Sequence, residues 1–290
     1  MLPAVDFESA PAVAAFVRGR FAALYPGAND TCLQRLFGDV DDLFAGRNPA
    51  YAPIDLRYHN LRHTLMATVC MAVLLEGRHS ACVADPLRAR DFELAIAGVL
   101  FHDSGYLKLK SDTAGTGAKY TFCHILRSCA FVASYLPELG ANDQEIENVL
   151  SAINCTGPHS EIGRLRFRDS VSLAVGCALA TADYLGQMAD PLYPEKLGEL
   201  FREFSESDAF ANVPPARRVF KSEYELLAHT HGFWTHFVKP KLENDFQAVY
   251  RFLERPYPSG SNAYMAAVEA NLVRIDNRAA ALAAAQNIQT

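Results

Sequence analysis

No stretch of this 290-residue chain approaches the about 18 uninterrupted apolar residues that a membrane-crossing helix requires. The opening Met1-Leu2-Pro3-Ala4-Val5-Asp6 lacks a basic segment leading into an apolar run, so neither secretion nor membrane insertion is expected. Positive charge is not in excess either. With 27 Lys and Arg against 33 Asp and Glu the net charge is -6, and a field of that sign repels polyanions, which argues against nucleic acid as a partner. The seven cysteines, at 32, 70, 82, 123, 129, 155 and 177, form no Cys-x-x-Cys pair and are odd in number. They read as reduced thiols of a cytoplasmic protein, mostly buried on helix faces. Internal repeats, low-complexity linkers and alternating strand patterns are also missing.

What is present is helical periodicity, in a chain long enough to bury a substantial core. Ser9 and Pro11 open a helix over 9–25, and Asn29-Asp30-Thr31 precede a second that stops near Gly46. Apolar residues at helical spacing continue over 60–76, 88–102, 118–136, 142–154, 169–188, 193–206, 216–254 in at least two pieces, and 261–285. The box-like Asn142-Asp143-Gln144-Glu145 marks one of these starts. The fold class is therefore all-α. The simplest division is one domain, 1–290, with helical extensions at both ends. The alanine-rich 261–285 helix offers a surface through which a homo-oligomer can form.

Four polar stretches interrupt this apolar pattern: Tyr58-His59-Asn60-Leu61-Arg62-His63, His102-Asp103, and Asp183 within Thr181-Ala182-Asp183 make one set, with His124 close behind. Imidazoles and carboxylates together are the usual shell of a divalent ion that activates water. His102-Asp103 ends the apolar run Ala95-Ile96-Ala97-Gly98-Val99-Leu100-Phe101, and a carboxylate delivered into a buried place needs a partner, for which a metal serves. Asp103 can bridge two ions. Asp183 stands alone among small apolar residues, with Asp190 its close competitor. If His59 and His63 are both helical, their spacing of four puts them on one face.

The order His, His-Asp, Asp over roughly residues 51–190 resembles the HD/phosphodiesterase superfamily of metal-dependent phosphohydrolases, and Tyr-His-Asn-x-x-His resembles its form in cyclic-nucleotide phosphodiesterases. The resemblance implies an HD-like helical bundle with an N-terminal extension over 1–50 and a C-terminal cap over 191–290. It also implies that His63, His102, Asp103 and Asp183 hold a tight ion and that His59 protonates the leaving oxygen. A second, weaker ion would draw on Asp103 and on His124 or His159; zinc, manganese, magnesium and iron are the candidates. Members with two metals place another histidine after a pattern like Val149-Leu150-Ser151-Ala152-Ile153, where this chain has Asn154-Cys155-Thr156. After His102-Asp103 it reads Ser104-Gly105-Tyr106, closer to general bacterial members than to the histidine and proline-glycine of the cyclic-nucleotide enzymes.

The expected substrate is a small-molecule phosphoester, with a nucleotide phosphodiester favoured, and Arg62 and Lys108 stand where they can neutralise its phosphate. Gln247-Ala248-Val249-Tyr250 is only loosely like a base clamp, and His229-Thr230-His231-Gly232-Phe233-Trp234 reads as an aromatic packing cluster that can line a pocket mouth. Two other readings stay open: an HD-type di-iron oxygenase using His124 and His159, and a non-catalytic nucleotide-binding sensor.

Overall fold

Ser9 accepts a hydrogen bond from the Ala12 amide and Pro11 occupies the first turn, so helix α1 runs Ala10–Leu24. In the computed structural model, which describes residues 1–287 and side chains through residue 284, nine further helices follow. They are α2 (Thr31–Phe44), α3 (Leu61–Ser80), α4 (Ala89–Phe101), α5 (His124–Tyr135), α6 (Asp143–Asn154), α7 (Ser170–Met188), α8 (Tyr193–Phe210), α9 (Glu223–Phe233) and α10 (Ala263–Asn287). Side-chain caps set most of the starts. Asn142 and Glu145 bond reciprocally at α6, Asp169 caps α7, and Ser222 caps α9. Among the described residues the only strands are β1 (Glu254–Arg255) and β2 (Ser261–Asn262), an antiparallel pair two residues long, so the fold is all-α.

One stretch departs from the periodic reading. The helix expected over 118–136 begins only at His124, because Gly117–Tyr120 forms a tight turn closed by the Thr116 side chain. Past α9 the backbone stays helical, widening into π-helical turns at Trp234–Val238 and Lys241–Asp245, and a separate 3-10 helix follows at Val249–Leu253, so the stretch expected to be helical in at least two pieces is so. The break between the two pieces comes at Gln247 and Ala248, which both take positive φ, at 55° and 52°, a conformation a continuing helix forbids.

The centre of the molecule is α3, buried on nearly every side, with α7 as its most extensive partner. Small residues make this pairing close. A Cβ on Gly186 would lie 2.9 Å from the Ala67 backbone, so the two helices touch main chain to main chain, one turn from Asp183. A second close approach fixes α5: a Cβ on Gly105 would lie 1.9 Å from the His124 carbonyl oxygen, and the Gly105 amide donates to Ser128 Oγ at 2.8 Å. The apolar face of α10, with Val268, Leu272 and Ile275, is buried within the chain itself, and Asn271 donates to the Met188 and Asp190 carbonyls where α7 ends. Cys70, Cys129, Cys155 and Cys177 are buried free thiols, Cys32 is half-buried, and Cys82 and Cys123 are exposed. No described helix is long and apolar enough to cross a membrane.

Substituting Gly186→Ala forces α7 off α3 and should destabilise the protein by about 1–3 kcal/mol in urea unfolding, the usual cost of overpacking. Gly19, exposed within α1 with nothing near its missing Cβ, is the control: Gly19→Ala should be neutral or stabilising by about 0.5–1 kcal/mol. Equal losses in both would show that helix contact at Gly186 is unimportant.

Candidate metal centre

Asn60 takes an extended conformation and caps α3, its side chain accepting from the His63 amide at 3.2 Å. This places His63 in the first helical turn and His59 ahead of the helix, so the two do not share a helical face as the spacing of four suggested. The turn nevertheless brings their rings to 5.5 Å between centroids. At the far end of its apolar run, α4 delivers His102 as its C-terminal cap and Asp103 in the turn that follows. Asp183 reaches the same point from α7.

The four groups converge closely. His63 Nε2 lies 3.2 Å from Asp103 Oδ2 and 3.3 Å from Asp183 Oδ1, and His102 Nε2 lies 3.4 Å and 3.6 Å from the same two atoms. His124 Nε2 stands 3.8 Å from the other Asp103 oxygen. His102 Nδ1–H donates to the Val99 carbonyl at 2.8 Å, and His124 Nδ1–H to the Thr121 carbonyl at 2.7 Å. Because a carbonyl only accepts, Nδ1 of each ring keeps its proton, and Nε2 is the nitrogen turned to the carboxylates and able to bind a metal when deprotonated. Gln187 donates to Asp183 Oδ1 at 3.1 Å and in turn accepts from the Tyr58 hydroxyl at 2.6 Å, which holds the carboxylate in place.

Charge is concentrated here. Burial works to lower the His63 pKa, but the adjoining Asp103 and Asp183 carboxylates outweigh it and raise it to about 10. His102 is raised in the same way, again against burial. Burial pushes both carboxyls upward, yet the imidazoles win and hold them well below the usual carboxylate range. His124 goes the other way: burial outweighs Asp103 and lowers its pKa, leaving a neutral donor.

The donor set fits a divalent cation. The His63 and His102 Nε2 atoms are buried without a hydrogen-bond partner, both aimed at carboxylate oxygens. Their N-to-O separations of 3.2–3.6 Å are those expected between ligand atoms each about 2.0–2.2 Å from one shared ion. His63, His102 and Asp103 form a compact buried group able to hold a metal, and Asp183 adjoins both histidines.

Beside this group stands a pair that no motif announced. His59 Nδ1 is 2.7 Å from Glu203 Oε2, while Glu203 Oε1 accepts from the Arg57 and Tyr58 amides at 3.1 Å and 2.7 Å. Glu203 is thereby fixed as an acceptor, and Nε2 is the nitrogen of His59 left to act. Tyr106 is sandwiched between two imidazoles, with centroids 4.6 Å from His59 and 4.5 Å from His124 and both rings nearly parallel to its own. Glu203, Gln187 and Tyr106 were invisible as site residues. The one signal for Glu203 is an acid flanking the apolar edge formed by Leu197, Leu200 and Phe204 on α8. His59 and Gln187 also border an apolar cavity of about 200 Å³ between α7, α8 and α9.

Other expected residues are not gathered in. Arg62 bonds Glu8 at 3.0 Å and Asp190 at 2.9 Å, which occupies its guanidinium and also accounts for Asp190, the rival to Asp183. Lys108 is taken up by Asp55 and the Gly115 carbonyl. Both have their charge paired with carboxylates outside the cluster. His159 is exposed and lines a separate open hollow of about 950 Å³, together with Phe237, Lys241 and Gln247 of the loosely clamp-like stretch. His229, Thr230 and Phe233 line the smaller cavity beside His59.

No protein-family model matches this sequence, and no curated protein is similar to it in sequence. Among solved structures the chain is similar to the phosphodiesterase domain of a rhodopsin phosphodiesterase from Salpingoeca rosetta, at 15% identity and a TM-score of 0.60, over 97% of this chain and 92% of that one. The chain thus carries a phosphodiesterase-like fold, with its buried histidine and aspartate group at the meeting point of α3, α4 and α7.

Proposed function

We propose that this chain is a metal-dependent phosphohydrolase of the HD superfamily, a single domain that hydrolyses a small-molecule phosphoester. The observation that carries the reading is the convergence of His63, His102, Asp103 and Asp183 beside a histidine held by a buried glutamate. A divalent ion held by those four residues supplies charge neutralisation and a lowered pKa for attacking water. Asp103, approached from its other side by His124, is the group suited to sharing with a second, weaker ion. His59 delivers a proton from Nε2 to the departing oxygen, and Glu203 orients the imidazole through Nδ1. Tyr106 holds the ring plane from below. The di-iron alternative draws on His124 and His159 together, and His159 stands outside the group. A purely sensory site has no use for the His59–Glu203 pair.

Removing the proton donor should separate chemistry from metal binding. His59→Ala is expected to keep its metal content while kcat falls by about 10²–10⁴-fold on an ester with a poor leaving group. Loss of metal together with activity would make His59 a ligand and sink this assignment.

Metal binding should also be linked to protons. The His63 pKa of about 10 lies above its ordinary value, so in the metal-free protein the ring is charged at pH 7 and must lose its proton to bind an ion. Affinity should therefore rise with pH toward about 10, with roughly one proton or more released per ion at pH 7, as calorimetry in buffers of different ionisation enthalpy reads directly. In the metal-free chain the His63 contribution to stability is complete below its unfolded pKa and fades as pH climbs to about 10, whereas that of Asp103 and Asp183 is lost as pH drops below the ordinary carboxylate range. Binding without proton release would contradict the charge assignment.

A further inference from the structure

The cavity beside His59 differs in character from the ion-binding group next to it. Its walls are Tyr184, Met188, Leu197, Leu200, Phe204 and Phe233, and no Asp, Glu, Asn, Ser, Lys or Arg lines it. The polar side chains that do border it are largely committed. Gln187 is engaged at both ends, by the Tyr58 hydroxyl and by Asp183; Thr230 donates to the Leu226 carbonyl at 2.7 Å; His229 Nδ1 donates to the Glu225 carbonyl at 2.7 Å. What stays free is one nitrogen each of His59 and His229 and the hydroxyls of Tyr184 and Tyr193. A nucleobase edge presents adjacent donors and acceptors that call for an uncommitted amide or carboxylate, and burying them unpaired is costly. The volume points the same way. About 200 Å³ is somewhat more than the roughly 150 Å³ of an apolar cavity known to take up benzene.

We propose that the substrate's departing alcohol carries an apolar group about the size of one aromatic ring or a short branched alkyl chain, seated between α7, α8 and α9, and that nucleobases are not what this cavity recognises. The inference rests on the phosphohydrolase reading and narrows its substrate class. Position supports the leaving-group side: the cavity borders His59, so the oxygen that receives the His59 proton lies at its mouth. In the hydrolysis, water's oxygen bonds phosphorus and the P–O bond to the alcohol breaks. The alcohol leaves with the proton from His59, which is replenished by the proton that the attacking water gives up.

The test is a series of methyl phosphodiesters whose second alcohol is methyl, butyl or benzyl, leaving groups of near-equal acidity, with cyclic AMP and cyclic GMP alongside, all with manganese. For benzyl over methyl, kcat/KM should rise by about 10–100-fold, the value of burying one such side chain, and the cyclic nucleotides should gain nothing comparable. Leu200→Trp, which fills the cavity from α8, should bring the benzyl-to-methyl ratio close to unity. If that variant does not fold, Phe204→Ala enlarges the cavity and should shift the preference toward a naphthylmethyl ester. Benzyl alcohol binding to the metal-free chain, followed by NMR, supplies a readout independent of turnover and should be lost in Leu200→Trp. Turnover with no benzyl preference and no benzyl alcohol binding overturns the pocket inference and leaves the hydrolase reading standing. Specific benzyl alcohol binding with no turnover of any phosphoester overturns the hydrolase reading instead.

Discussion

Two carboxylates and two imidazoles packed together out of water are the constraint around which this molecule is arranged. Asp103 and Asp183 cannot remain ionised in that position without positive charge against them, and the pKa values of His63 and His102, whose Nε2 atoms lie 3.2–3.6 Å away, are both raised in response. The charges come from α3, from the end of α4 and from α7, so the cluster is only as good as the packing that holds these three helices in register. The main-chain contact at Gly186 and the small residues of α7 serve that purpose. A divalent ion held in the same place would displace the His63 proton, which would make the proton and the metal competitors for one electrostatic need.

Around this cluster the surroundings divide by chemistry. On one side, backbone amides of Arg57 and Tyr58 hold Glu203, Glu203 holds His59, and Tyr106 fixes the ring from its face. On the other, carbonyls of Val99 and Thr121 fix the tautomers of His102 and His124. The apolar cavity between α7, α8 and α9 meets the first side, so His59 stands between a charged centre and an apolar recess. That arrangement suits a reaction in which phosphate stays with the charges and the departing group does not.

The elements and the principal cluster were readable because their signals are local. Ser9, Asn142 and Ser222 cap helices through neighbours three residues on, and Asp183 stands out as one acid in a run of small apolar residues. Partners far along the chain were not readable. Glu203 meets His59 across 144 residues, and on α8 it looks like any other acid beside an apolar edge. Arg62 and Lys108 carry charge near the motifs, but their pairing with Asp190 and Asp55 is a tertiary fact that adjacency does not reveal. The helical spacing of His59 and His63 misled in detail, because Asn60 turns the chain into an extended cap between them and still brings the rings together. Past α9 the helical pattern held through Asp245, and the positive φ at Gln247 and Ala248 sets where the next piece begins.

The most direct measurement is the metal content of protein purified anaerobically, without chelator and without added metal, compared with that of Asp183→Asn and His102→Ala. At least one divalent ion per wild-type chain, lost from both variants, is the result the account predicts. A wild-type chain that holds no ion and takes none up from zinc or manganese, or variants that keep the full complement, would contradict it.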